Sequence, residues 1–91
     1  MSGYSEARGQ RPTHAIRVGA VEAAIWRNER KDGSPFYSVT FKRSYLDEGR
    51  GWQESVSFAE RECLVLARVA LEAQSWIRTQ AREAEQAAGS A

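Results

Sequence analysis

The feature that most constrains the fold of this sequence is a long helical segment that is apolar on more than one side. No proline or glycine interrupts the chain from Ser57 to Glu85, so we expect one helix about 40 Å long. One apolar stripe, at spacings of three and four, suits the cover of a sheet: Leu66, Val69, Ala70, Ala73, Trp76 and Ile77. A second apolar set lies on other sides: Leu64, Val65, Ala67 and Leu71. An apolar surface that wraps this far round a helix is usually buried twice.

The segment before the helix alternates as antiparallel strands do. Residues 15–28 change parity at Gly19, which predicts a short strand to about Val18, a kink, and a second strand to about Arg27. Their alanines leave a helix open as the alternative. Asp32–Gly33 signals a turn, residues 36–45 form the clearest strand, and residues 52–58 alternate as a fourth.

This alternation assigns side chains to two faces of the predicted sheet. The helix-facing set is expected to be Tyr37, Val39, Phe41, Trp52, Val56 and Phe58. The opposite set is expected to be Ala24, Trp26, Phe36, Ser38, Thr40, Lys42, Gln53 and Ser55. Ser57 and Glu60 have the spacing of a capping box at the helix start.

The pattern predicts an α+β fold of four strands followed by one helix, in a single domain over residues 14–80. Residues 1–13 are polar and predict a disordered N-terminal arm. Residues 81–91 are expected to form a fraying helix end and a tail.

Few residues could serve a catalytic, metal or cofactor site. The chain has one cysteine, Cys63, and one histidine, His14, so no zinc spacing arises and Cys63 is expected to be a small core residue. We find no Ser–His–Asp set, no glycine-rich phosphate loop and no carboxylate pair at an apolar position. We therefore expect no catalytic residue, no metal and no cofactor. A lone cysteine, no apolar run of ~18 residues and no signal-like N-terminus lead us to expect a cytoplasmic protein, with nucleoid association as one option.

The surplus apolar surface of the helix predicts a partner. In a 91-residue chain the simplest second cover is another copy in a two-fold arrangement, through Leu64, Ala67 and Leu71. The alternative is that the N-terminal arm or the loop at Leu46 folds over this side.

Charge is unevenly distributed along the chain. Residues 1–45 carry eight basic and four acidic side chains, a formal charge of +4, and residues 46–91 carry five and eight, or −3. A basic strand half with aromatic and hydroxyl side chains suits a polyanion whose bases can stack. The alternatives are ordinary surface scatter and a Trp26–Phe36 cross-strand pair that only stabilises the sheet.

The layout resembles the single-stranded-DNA-binding domain of the transcriptional coactivator positive cofactor four. The landmarks are IRVG, AAIWRNERKDG, FYSVTFKRSYLDEGRGW and SVSFAERE, over about residues 15–77. The resemblance implies a curved antiparallel sheet, a homodimer formed through the helices, single-stranded DNA along the strands, and an accessory role in transcription or replication. The matching positions are Arg17, Trp26, Arg27, Lys42, Arg43 and Trp52, together with Phe36. The last strand departs from the family pattern because Glu54 stands where basic residues are expected, which lowers the expected affinity.

The RSY…GW…SF spacing also resembles short uncharacterised prokaryotic proteins. We therefore expect non-catalytic binding of single-stranded DNA or RNA. The rival hypothesis is a protein-interaction or scaffold module. A neutral or acidic sheet face favours the rival, whereas a basic face favours nucleic acid. A ligand pocket between sheet and helix needs a cavity that so small a chain can hardly enclose.

Overall fold

A computed structural model describes residues 11–90 and shows an α+β fold. The sheet contains β1 (His14–Val18), β2 (Val21–Glu29), β3 (Pro35–Asp47) and β4 (Gly51–Ser55). A 3₁₀ turn at Glu60–Glu62 leads into the helix α1 (Cys63–Ser90). All neighbouring strands are antiparallel and the sheet order is β1-β2-β3-β4. The predicted class and the predicted order of elements along the chain are confirmed.

The parity change near Gly19 marks a tight hairpin between β1 and β2. Val18 pairs with Val21, so Gly19 and Ala20 form the whole connection. Gly19 has a φ of 60°, a conformation that glycine adopts without a steric penalty. The predicted kink is therefore a complete reversal of the chain.

The turn between β2 and β3 is stabilised by Asp32. Its Oδ1 accepts hydrogen bonds from the Ser34 hydroxyl at 2.6 Å and from the Ser34 backbone N–H at 2.9 Å. The first of these contributes most to lowering the pKa of the Asp32 carboxyl below its ordinary value of 3.8. Gly33 adopts a positive φ of 88°, as the Asp-Gly signal predicts.

The core lies between the middle of the sheet and one face of the helix. Val21, Ala23 and Ile25 of β2 are buried against Val69 and Ala73 of α1. Partly buried side chains surround them: Ile16, Val18, Tyr37, Val39, Phe41, Phe58, Val65, Leu66, Trp76 and Ile77. Five of the six predicted stripe residues, all but Ala70, belong to this core, and Val65 belongs to it as well.

Trp76 packs the C-terminal end of this helix face against two strands. Its ring stacks on His14 of β1, with centroids 4.6 Å apart and an interplanar angle of 4°. It also meets Tyr37 of β3 edge-on, at 5.9 Å and 88°. Stacked and edge-to-face pairs stabilise by about 0.5–1.5 kcal/mol beyond area burial.

The helix begins later than predicted. β4 ends at Ser55, and the Ser57 N–H donates to the Ser55 hydroxyl at 3.0 Å, so the Ser57–Glu60 capping box is wrong. The Glu62 carboxylate instead accepts from the Ala59 N–H at 2.7 Å. Glu62 also lies 3.5 Å from the Arg43 guanidinium, which holds it in place for this role. Cys63, expected in the core, is exposed.

The two ends of the described chain extend beyond the predicted domain limits. At the start, the Thr13 N–H donates to the Ile25 carbonyl at 2.7 Å; residues 1–10 of the predicted arm lie outside the described residues. At the other end the helix continues to Ser90, so residues 81–90 are helical and form no separate tail. From Arg78 to Ala87 every side chain except Gln80 is exposed, so this part of the helix overhangs the sheet.

Ile25→Ala is expected to lower the free energy of unfolding by about 2–5 kcal/mol, because it empties a fully buried site that the relaxed structure refills only in part. Leu46→Ala, at an exposed position of the neighbouring strand, is the control and should stay within about 0.5 kcal/mol. Urea unfolding followed by circular dichroism measures both variants. Equal effects in the two would contradict the placement of the core.

Candidate binding surface on the outer sheet face

The face of the sheet turned away from α1, here called the outer face, is defined by strand register. Its members are Ala15, Arg17, Glu22, Ala24, Trp26, Asn28, Phe36, Ser38, Thr40, Lys42, Ser44, Leu46, Trp52 and Glu54. Two open depressions lie on it. Trp26 and Thr40 belong to one depression, whereas Arg17 of β1 and Trp52 of β4 belong to the other. Because β1 and β4 are the two edge strands, their joint contribution indicates that this face is concave.

The orientation of β4 is opposite to the prediction. Trp52 pairs with Leu46, and Glu54 pairs with Ser44. Paired residues of neighbouring strands share a face, so Trp52 and Glu54 lie on the outer face. The predicted outward pair, Gln53 and Ser55, lies on the helix side, and Val56, predicted to face the helix, is 79% exposed. The hairpin connection, which pairs Asp47 with Gly51, decides the face, and the apolar alternation of the strand does not.

Trp26 offers little surface for stacking. Only 7% of it is exposed, and its Nε1 donates to the Thr40 hydroxyl at 2.9 Å. The ring contacts of the described residues do not include a Trp26–Phe36 pair, so the alternative of a cross-strand ring pair is not observed. Trp26 forms the floor of a depression, and its Nε1 already has a hydrogen-bond partner.

Trp52 is the most accessible aromatic side chain of the outer face, with 71% exposed. Within residues 11–90 its ring makes no aromatic or cation–π contact. Phe36 is less open, because the Arg30 guanidinium lies 5.1 Å from its ring centroid. A flat ligand therefore finds its best unoccupied platform on Trp52.

Four ionisable side chains project from the outer face of strands β1 to β4, and they pair with one another. Arg17 Nη2 lies 3.0 Å from Glu22 Oε1, and Lys42 Nζ lies 2.8 Å from Glu54 Oε2. Two cations and two anions leave this face formally neutral. Such surface ion pairs stabilise a protein by only about 0–1 kcal/mol, so a competing ligand group can replace one partner.

Two predicted contact residues lie on the helix side. Arg27 pairs with Tyr37 across the strands and forms an ion pair with Glu29 at 3.3 Å. Arg43 Nε donates to the Ser57 carbonyl at 2.6 Å. Neighbours in a strand point to opposite faces. Arg27 follows Trp26 and Arg43 follows Lys42, so both arginines point away from the outer face. The other five predicted positions lie on it: Arg17, Trp26, Phe36, Lys42 and Trp52.

The sequence did not place Glu22, Asn28 or Leu46 at this surface, and it placed Glu54 in the last strand without assigning it a face. The Asn28 amide donates to the Ser38 hydroxyl and the Trp26 carbonyl, each at 3.2 Å. The length of the turn at Asp47–Gly51 could have assigned Glu54 to the outer face, because that length sets the β3–β4 register.

No protein-family model, curated protein or solved structure significantly matches this chain. Among the described helices, none combines the length and apolar character needed to cross a membrane.

The different exposure of the tryptophans is testable by fluorescence. Trp52→Phe is expected to remove most of the emission that acrylamide quenches, because Trp52 is open to solvent. Trp26→Phe, the matched control, should leave the amount of quenchable emission nearly unchanged. A larger loss in Trp26→Phe would contradict the assigned faces.

Proposed function

We propose that this protein is a non-catalytic module that binds single-stranded nucleic acid on its outer sheet face. The observation that carries the proposal is that the exposed Trp52 ring and Arg17 line the same depression. A base can stack on the indole while a cation meets the adjacent phosphate. The hydroxyls of Ser38 and Ser44 lie along the same face and suit phosphate oxygens.

The free energies typical of each interaction favour base stacking over charge as the main source of affinity. Stacking on an aromatic ring stabilises by about 1–3 kcal/mol per base. Breaking the Arg17–Glu22 or Lys42–Glu54 pair to release a cation costs only about 0–1 kcal/mol. Because the face is neutral, we expect modest affinity and a shallow salt dependence, since few counterions are released.

The neutrality of the outer face also favours a second candidate, a polypeptide partner. By the charge criterion alone this candidate ranks first, because a neutral surface attracts no polyanion at long range. It ranks second overall, since the free indole, the releasable cations and the hydroxyls on one face provide the contacts that a single strand needs.

We also propose that two copies associate through the outer stripe of α1. Leu64 and Leu71 are 85% and 66% exposed, and Ala67 is exposed between them. These positions are spaced by three and four residues, so they form one apolar ridge along the helix. Burying each leucine would contribute roughly 1.5–3 kcal/mol. No part of residues 11–90 covers this ridge, although residues 1–10 remain as the alternative cover.

Trp52→Ala is expected to weaken oligonucleotide binding about 5- to 150-fold, which corresponds to the loss of roughly 1–3 kcal/mol of stacking. Gln74→Ala, at an exposed position of α1 on the other side of the sheet, is the control and should change affinity little. Fluorescence anisotropy with labelled single-stranded DNA, single-stranded RNA and duplex probes measures both.

Absence of binding by the unmodified protein at ~50 mM salt, where phosphate contacts are strong, would remove the nucleic-acid proposal. The polypeptide candidate would then stand alone.

Leu71→Glu is expected to convert a dimer to a monomer, because the new charge would be buried without a partner. Thr79→Glu adds the same charge at an exposed position two turns further along the helix and should leave the dimer intact. Light scattering should give twice the chain mass for the unmodified protein and for Thr79→Glu. A monomeric unmodified protein would defeat the dimer proposal.

A further inference from the structure

Glu54 lies on the edge strand β4, at the boundary between the two depressions of the outer face. It contributes to both depressions and lies two residues from Trp52 on the same side of β4. Side chains at this spacing are about 7 Å apart along a strand, so the edge of a base stacked on Trp52 comes within reach of the Glu54 carboxylate.

The carboxylate is held in place but not saturated. Lys42 donates to its Oε2 at 2.8 Å, and no hydrogen bond within the described chain involves its Oε1. An ionised carboxylate only accepts hydrogen bonds. It repels a phosphate, and it selects a ligand edge that carries donors.

We propose that Glu54 gives the Trp52 site a preference for guanine. The inference rests on the proposed binding of single strands. Guanine presents two adjacent donors on its Watson–Crick edge, N1–H and the N2 amine, which match the two oxygens of a carboxylate. Adenine, cytosine and thymine each carry only one donor group on that edge, next to an acceptor. One carboxylate oxygen would then face an acceptor, which is unfavourable. Lys42 is a positioning residue, since it fixes the carboxylate and balances its charge.

Thymine oligonucleotides that carry one test base at regular intervals separate the contributions. The unmodified protein should bind the guanine strand about 5- to 10-fold more tightly than the adenine strand, within the range known for paired base contacts. The 7-deazaguanine strand, which keeps both donors but cannot form quartets, should match guanine. The inosine strand, which lacks the N2 amine, should fall between guanine and adenine.

Glu54→Gln should produce two effects of opposite sign. The guanine preference should disappear, while affinity for the all-thymine strand should rise because Lys42 is released to meet phosphates. Glu48→Gln makes the same charge change in the neighbouring turn, at an exposed position, and should keep the preference. A purely structural role of Glu54 would weaken all strands together.

The possible results distinguish the guanine preference from the single-strand binding on which it rests. Equal binding of all strands by the unmodified protein, or a preference that survives in Glu54→Gln, overturns the guanine inference and leaves single-strand binding standing. Failure of every strand to bind at ~50 mM salt overturns single-strand binding and the inference with it.

Discussion

The burial of the inner face of β2 under α1 is the contact on which the rest of this structure depends. Val21, Ala23 and Ile25 meet Val69 and Ala73 with almost no exposed surface. Small side chains at positions 23 and 73 allow the helix to lie close to the sheet. A single helix covers only one face of a four-stranded sheet, so this packing also decides which face stays open.

The open face uses its charges in an unusual way for a surface proposed to bind nucleic acid. Its two cations are each matched by a carboxylate, so long-range attraction of a polyanion is weak. What remains is short-range: an indole open to solvent, hydroxyls, and an acceptor at a fixed place. Such a surface would discriminate between ligand edges better than it attracts phosphates, which is the basis of the role proposed for Glu54.

The helix contributes a second open surface on its far side. Leu64 and Leu71 are exposed although the same helix buries Val69 and Ala73. Leaving such an apolar ridge in water is unfavourable, and a small domain with a limited core has little stability to offset it. Two-fold association would bury this ridge without covering the outer face, so the proposed binding surface and the proposed dimer contact would not compete.

The sequence by itself determined the α+β class, the order of the elements, the helix stripe around Val69 and Ala73, and the inward set on β3, because each depends on a local period of two or 3.6 residues. Tertiary structure decided the face of Trp52 and Glu54, the pairing of Lys42 with Glu54, and the burial of Trp26. These depend on the register between strands, and a shift of one residue exchanges the two faces. It also decided the helix start, because the Glu62 carboxylate bonds the Ala59 N–H and lies near Arg43, a partner from a distant strand.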